Sequence, residues 1–101
     1  MLFAFSVAPT QAADDSGSVS AAVADALRVV RDSGLPYELT SMFTTIEGEW
    51  DEVMPVIKAA CDAVGEHSPR VSLVLKADLR PGYTGQLTEK VERVTNRLAD
   101  G

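Results

Sequence analysis

Ser41-Met42-Phe43-Thr44-Thr45-Ile46-Glu47-Gly48-Glu49-Trp50-Asp51-Glu52-Val53-Met54 changes its character half-way along. Hydroxyls, a thioether and a carboxylate crowd into its first part, whose other residues are those of a strand. From Trp50 onward the apolar residues fall at Trp50, Val53, Met54, Ile57, Ala60, Cys61 and Val64, the three-four spacing of one helix face. The stretch therefore reads as a strand running straight into an amphipathic helix over about Glu49 to Glu66. Because a strand turns alternate residues to opposite faces, its polar side chains must meet solvent, a partner or a ligand.

Upstream, Pro36 launches an extended run from Tyr37 to Met42, which Phe43 to Glu47 continues. One strand of that length is unusual, so two strands with a tight reversal near Met42 to Thr44 are expected. Before them, Val19, Val23, Ala26, Leu27 and Val30 repeat at helical spacing, with Ser18 as the expected N-cap and Gly34 as the stop. Leu2 to Pro9 reads as the first strand, and Thr10 to Ser18, with Asp14 and Asp15, as a loop. Downstream, Arg70 to Leu79 alternates, with Val71, Leu73, Leu75, Ala77 and Leu79 inward, until Arg80-Pro81-Gly82 breaks it. A last helix carries Leu87, Val91, Val94 and Leu98 on one stripe. Pro55 is harmless if the second helix effectively starts at Asp51, whereas a start at Glu49 costs one hydrogen bond.

The order is βαββαβ plus a terminal helix. Right-handed crossovers turn that order into an α+β, ferredoxin-like sandwich with sheet order 4-1-3-2, one domain over residues 1–101. Each long helix offers a single apolar stripe, so both must cover the same sheet face. Alternation then places Ala4, Ser6, Ala8, Thr40, Met42, Thr45, Glu47, Ser72, Val74, Lys76 and Asp78 on the opposite, open face. That face is too polar for a core and too rich in small and apolar residues for plain solvent.

Composition narrows the function. In 101 residues, 46% are hydrophobic, enough for one globular core, and the net charge of −6 leaves no basic face for nucleic acid. A lone cysteine, Cys61, rules out an internal disulfide and suits a reducing, cytoplasmic setting. One histidine and no Cys/His cluster argue against a zinc site. Met1 to Ala8, followed by Pro9-Thr10-Gln11-Ala12-Ala13, has the outline of a cleavable leader but no positive n-region, and reads as a buried strand. No later run is long enough to span a bilayer.

Glu47-Gly48-Glu49-Trp50-Asp51-Glu52-Val53-Met54, preceded by Ser33-Gly34-Leu35-Pro36-Tyr37 and the Thr40-Ser41-Met42 run, resembles the small thiamine-binding proteins of the DUF77 (UPF0045) family. Ser6-Val7-Ala8-Pro9 and Lys76-Ala77-Asp78-Leu79-Arg80 extend the resemblance over nearly the whole chain. It implies a ferredoxin-like fold, assembly into dimers or tetramers, and binding of thiamine or its hydroxymethylpyrimidine part without catalysis or a cofactor. Carried over residue by residue, it implies ligand-binding roles for Thr40, Met42, Thr45 and Glu47, and further for Ser6, Lys76 and Asp78.

Two readings of Glu47 stand side by side. A partly buried carboxylate suits an aminopyrimidine or a cationic thiazolium; alternatively, it caps the second helix. Lys76 and Asp78 pair with the ligand or with neighbours, and Met42 covers a flat ring or fills space. Cys61 has no base beside it, His67 is expected in an exposed loop, and Trp50 is expected as a core anchor. The rival to a binding protein is an interaction module whose open face is only an oligomer interface. No nucleophile–base pair, metal set or phosphate loop points to an enzyme.

Overall fold

The computed structural model describes residues 1–10 and 18–100, with residues 18 and 19 as backbone only. The Asp14-Asp15 loop, the Ser18 cap and the Val19 side chain lie outside the described residues. The elements run β1 (Leu2–Pro9), α1 (Ser18–Asp32), β2 (Tyr37–Leu39), β3 (Thr44–Glu47), α2 (Trp50–Gly65), β4 (Val71–Asp78) and α3 (Gln86–Ala99). The four strands form one sheet in the order β2-β3-β1-β4, every neighbouring pair antiparallel, which is the expected 4-1-3-2 topology.

Register fixes the two faces. Phe3 lies between Ile46 and Ala77, and Phe5 between Thr44 and Leu75. Residues directly opposite share a face, so these turn together toward α1 and α2. There Phe3, Phe5, Ile46, Ala22, Ala26, Val30, Val53, Ile57, Ala60 and Val64 make the core, each at most 2% exposed. The other face carries Glu47, Leu2 and Asp78 in one row, Thr45, Ala4 and Lys76 in the next, then Ser6 beside Val74.

Several boundaries differ from the sequence reading, each for a local reason. β2 ends at Leu39 rather than Met42. The Thr40 hydroxyl donates to the Phe43 carbonyl at 2.8 Å and accepts the Phe43 N–H at 3.3 Å, while the Thr40 N–H reaches the same carbonyl at 2.9 Å. A side chain that bonds its own turn in this way competes with the sheet ladder. Thr40 and Met42 consequently sit in the β2–β3 turn, not on the open face.

β4 is an edge strand that the helices cover only partly, so of its inward residues Val71 and Leu75 are half-buried while Leu73 and Leu79 are exposed. α2 begins at Trp50 behind Glu49, one residue ahead of the start that would spare Pro55, so the Asp51 carbonyl loses its usual donor. Gly34 closes α1 with φ 78°, as a left-handed helix stop requires. Trp50 is 47% exposed and meets Phe3 edge-on at 6.0 Å, a cover on the core rather than an anchor within it. His67, expected in the open, is half-buried and held by Asp25 of α1 at 2.7 Å.

Candidate functional site

β3 ends where the chain must turn tightly into α2, and Gly48 makes that turn possible. A Cβ there would lie 2.8 Å from the Val53 side chain. The Glu47 N–H donates to the Pro36 carbonyl at 2.9 Å and the Gly48 N–H to the Met1 carbonyl at 3.1 Å, which fixes the strand end. Glu47 is thereby left 8% exposed on the open face. Its Oε2 accepts the backbone N–H of Gln86, the first residue of α3, at 2.9 Å. That N–H has no acceptor within its own helix, so Glu47 caps α3.

The expected alternative, a cap on α2, is served by other residues. The Glu49 N–H donates to the Glu52 carboxylate at 3.1 Å, half of a capping box.

Glu47 also lines a cavity of about 240 Å³. Glu49 and Glu52 from the start of α2 share its wall with Leu35, Pro36 and the β4–α3 connector residues Tyr83, Thr84 and Gly85. Three acidic residues thus line an otherwise largely apolar hollow, with Met1 beside them. One face of the Tyr83 ring is covered by the Arg80 guanidinium, 3.5 Å from its centroid.

A second cavity of about 240 Å³ opens where β3 leaves β1. Pairing between the two ends at Phe5 and Thr44, so beyond it Ser6, Val7 and Ala8 have β4 on one side only. The turn residues Thr40 and Met42 and the α1 residues Val23 and Leu27 line the gap. Among the described residues its lining holds hydroxyls but no charge.

The seven residues singled out from the sequence therefore separate. Glu47, Thr45, Ser6, Lys76 and Asp78 share the open face, as alternation demands. Glu47 belongs to the acidic cavity, and Ser6, Thr40 and Met42 to the uncharged one. Thr45 is half-buried opposite Ala4, and Lys76 is exposed on the other side of Ala4. Asp78 accepts from Lys90 of α3 at 2.5 Å, and that ammonium holds its carboxyl below the ordinary range. The sequence reading missed Tyr83 and Gln86, and it took Glu49 and Glu52 only as acids of the turn into α2. The available signal for Tyr83 was an aromatic between two glycines, Gly82-Tyr83-Thr84-Gly85, just past the Arg80-Pro81-Gly82 break. The Cys61 thiol is half-buried, and burial pushes its pKa up, away from a reactive thiolate.

A family model described as thiamine-binding protein matches residues 3–95. The chain belongs to the thiamine-binding protein family. A UPF0045 protein of Mycobacterium bovis is 48% identical over 97% of this chain and 94% of its own length. One from Methanothermobacter thermautotrophicus is 38% identical over 82% and 86%. Among solved structures, a DUF77 domain from Bacillus cereus superposes with a TM-score of 0.75 at 33% identity, covering 87% of this chain and 85% of that one. A Thermotoga maritima protein, whose name suggests a role in thiamine biosynthesis or salvage, gives 0.74 at 26% identity over 92% and 96%. The fold of the thiamine-binding family and the topology described above are the same. Among the described residues no helix is long and apolar enough to cross a membrane.

Proposed function

We infer that this chain is a non-catalytic, cytoplasmic, single-domain binding protein for thiamine or its hydroxymethylpyrimidine part, and that the cation is received in the Glu47 cavity. Family membership supports the ligand class. The observation that carries the choice of cavity is Glu47 itself, a carboxylate 8% exposed with Oε2 taken by the Gln86 N–H. A charge so far out of water is best matched by an opposite charge or further donors. The permanent cation of a thiazolium supplies the first, and an aminopyrimidine the second. Glu49 and Glu52 on the same wall add to the negative potential, and Tyr83 lines the cavity beside them. On this reading Thr45, Lys76 and Asp78 flank the site on the open face. Ser6, Thr40 and Met42 line a separate, uncharged hollow suited to a neutral ring. The apolar stripe of α3, left exposed, supports self-association into dimers or tetramers.

Charge makes the test specific. A phosphate needs a Gly-rich helix start or an arginine cluster, and this cavity presents three carboxylates. Calorimetric titration of thiamine and of thiamine diphosphate at one salt concentration is expected to show tighter binding of the unphosphorylated vitamin. Preference for the diphosphate would overturn the assignment to this cavity, and absence of binding by either would overturn the function.

A further inference from the structure

Among the described residues, little holds α3 to its own chain. Of its residues only Gln86 is buried, and Val91, Val94 and Leu98 are 60%, 59% and 76% exposed. Two bonds seat it on the end row of the open face, from the Gln86 N–H to Glu47 at 2.9 Å and from Lys90 to Asp78 at 2.5 Å. Glu47 and Asp78 stand on either side of Leu2 in that row.

The connector is hydrogen-bonded to the first turn of the helix. Gln86 donates through its side-chain amide to the Thr84 carbonyl at 3.2 Å, and the Thr88 hydroxyl to that of Gly85 at 3.3 Å. Tyr83 and Thr84 are bracketed by Gly82 and Gly85, both in the left-handed region at φ 84° and 69°. Glycines absorb backbone rotation there at least cost. Yet Tyr83, Thr84 and Gly85 are one wall of the acidic cavity, and Glu47 is at once part of its lining and the cap of α3.

We propose that the connector and α3 form a clasp whose seating is coupled to occupancy of the Glu47 cavity, a proposal that rests on the binding function inferred above. A cation in the cavity meets the full wall only when α3 is seated, because only then are Tyr83, Thr84 and Gly85 in place. The ligand therefore binds the seated state more tightly and shifts the population toward it. Linkage makes the effect reciprocal in sign: loosening α3 from a distance weakens the ligand, at most by the factor with which the ligand favours the seated state. Arg80, stacked on Tyr83, acts as a positioning residue within the clasp.

The test uses thiamine as the probe and a variant outside the cavity. Lys90→Met removes the outer pin and leaves every cavity residue intact. Backbone hydrogen exchange of the wild type is expected to slow by about fivefold or more over residues 87–99 at saturating thiamine, the lower range of ordinary coupling. Calorimetry of Lys90→Met is expected to show affinity weakened by up to about fivefold, the range of one exposed ion pair. Thiamine binding that slows exchange only around residues 47–52 and 83–85, or an unchanged affinity in Lys90→Met, would overturn the clasp while leaving the binding function standing. Absence of thiamine binding would overturn both together.

Discussion

Glu47 joins two tasks in one side chain, and the choice of substitution separates them. Glu47→Gln keeps an acceptor for the Gln86 N–H but removes the charge. Its expected cost in stability is at most about 1 kcal/mol, the lower range for a helix cap, whereas thiamine affinity is expected to fall at least about tenfold, or roughly 1.4 kcal/mol. Urea unfolding and calorimetry read the two quantities on the same preparation. Equal affinity with lowered stability would leave Glu47 as a cap alone. The importance of Glu47 was legible in the sequence because a carboxylate between Ile46 and Gly48 sits badly in a plain strand. Its actual partner was not, since Gln86 lies 39 residues away and local patterning carries no record of that contact.

The same limit hid the Asp25–His67 pair, which spans 42 residues. The His67 hydrogen bond, with lesser help from Arg28, holds the Asp25 carboxyl below its ordinary value of 3.8. Since the folded value is the lower one, stability from this group is fully present above about pH 4 and is lost as pH falls through the lowered value. His67→Gln is therefore expected to lie below wild type in urea midpoint at about pH 5, with the gap closing toward about pH 2. A gap that stays constant over that range would show that the destabilisation does not come from Asp25.

At the scale of elements, the features read with least error were those set by short-range period. The α2 stripe, the β1 run and the inward–outward order of β4 stand where alternation put them. The β2–β3 reversal moved because the Thr40 hydroxyl closes a turn earlier than apolar alternation implies. The burial of β4 was overestimated because alternation says which way a side chain faces and not whether a helix reaches it. The joint between β3 and α2 admits a direct test. Gly48→Ala would place a methyl 2.8 Å from Cγ2 of Val53, a fully buried β-branched residue on a helix with little rotamer freedom. Overpacking of this sort costs about 1–3 kcal/mol. The thermal midpoint is expected to fall by about 4–8 °C per kcal/mol in a chain of this size. An unchanged midpoint would mean that the strand–helix joint yields without cost.

The whole molecule is longer than its chain length requires. Its radius of gyration is 15.3 Å and its longest extent 50 Å, against about 13 Å for a compact domain of 100 residues. α3 lies apart from the main core and keeps the Val91, Val94 and Leu98 stripe in solvent. Contiguous exposed apolar surface of this kind is what interaction sites present. The proposed self-association fits the charge: α3 carries three bases and two acids in a chain of net charge −6, so a second copy would offer it an acidic body. Light scattering is expected to give at least a dimer at about 10–50 µM, a concentration that populates interfaces of micromolar affinity. Leu98→Glu places a charge on the stripe two turns beyond the Lys90 anchor, out of its reach. It is expected to yield a monomer with unchanged helix content by circular dichroism. A monomeric wild type would overturn self-association outright, and a variant that stays oligomeric would move the interface from α3 to the open sheet face, where Val74 is 55% exposed beside Ser6.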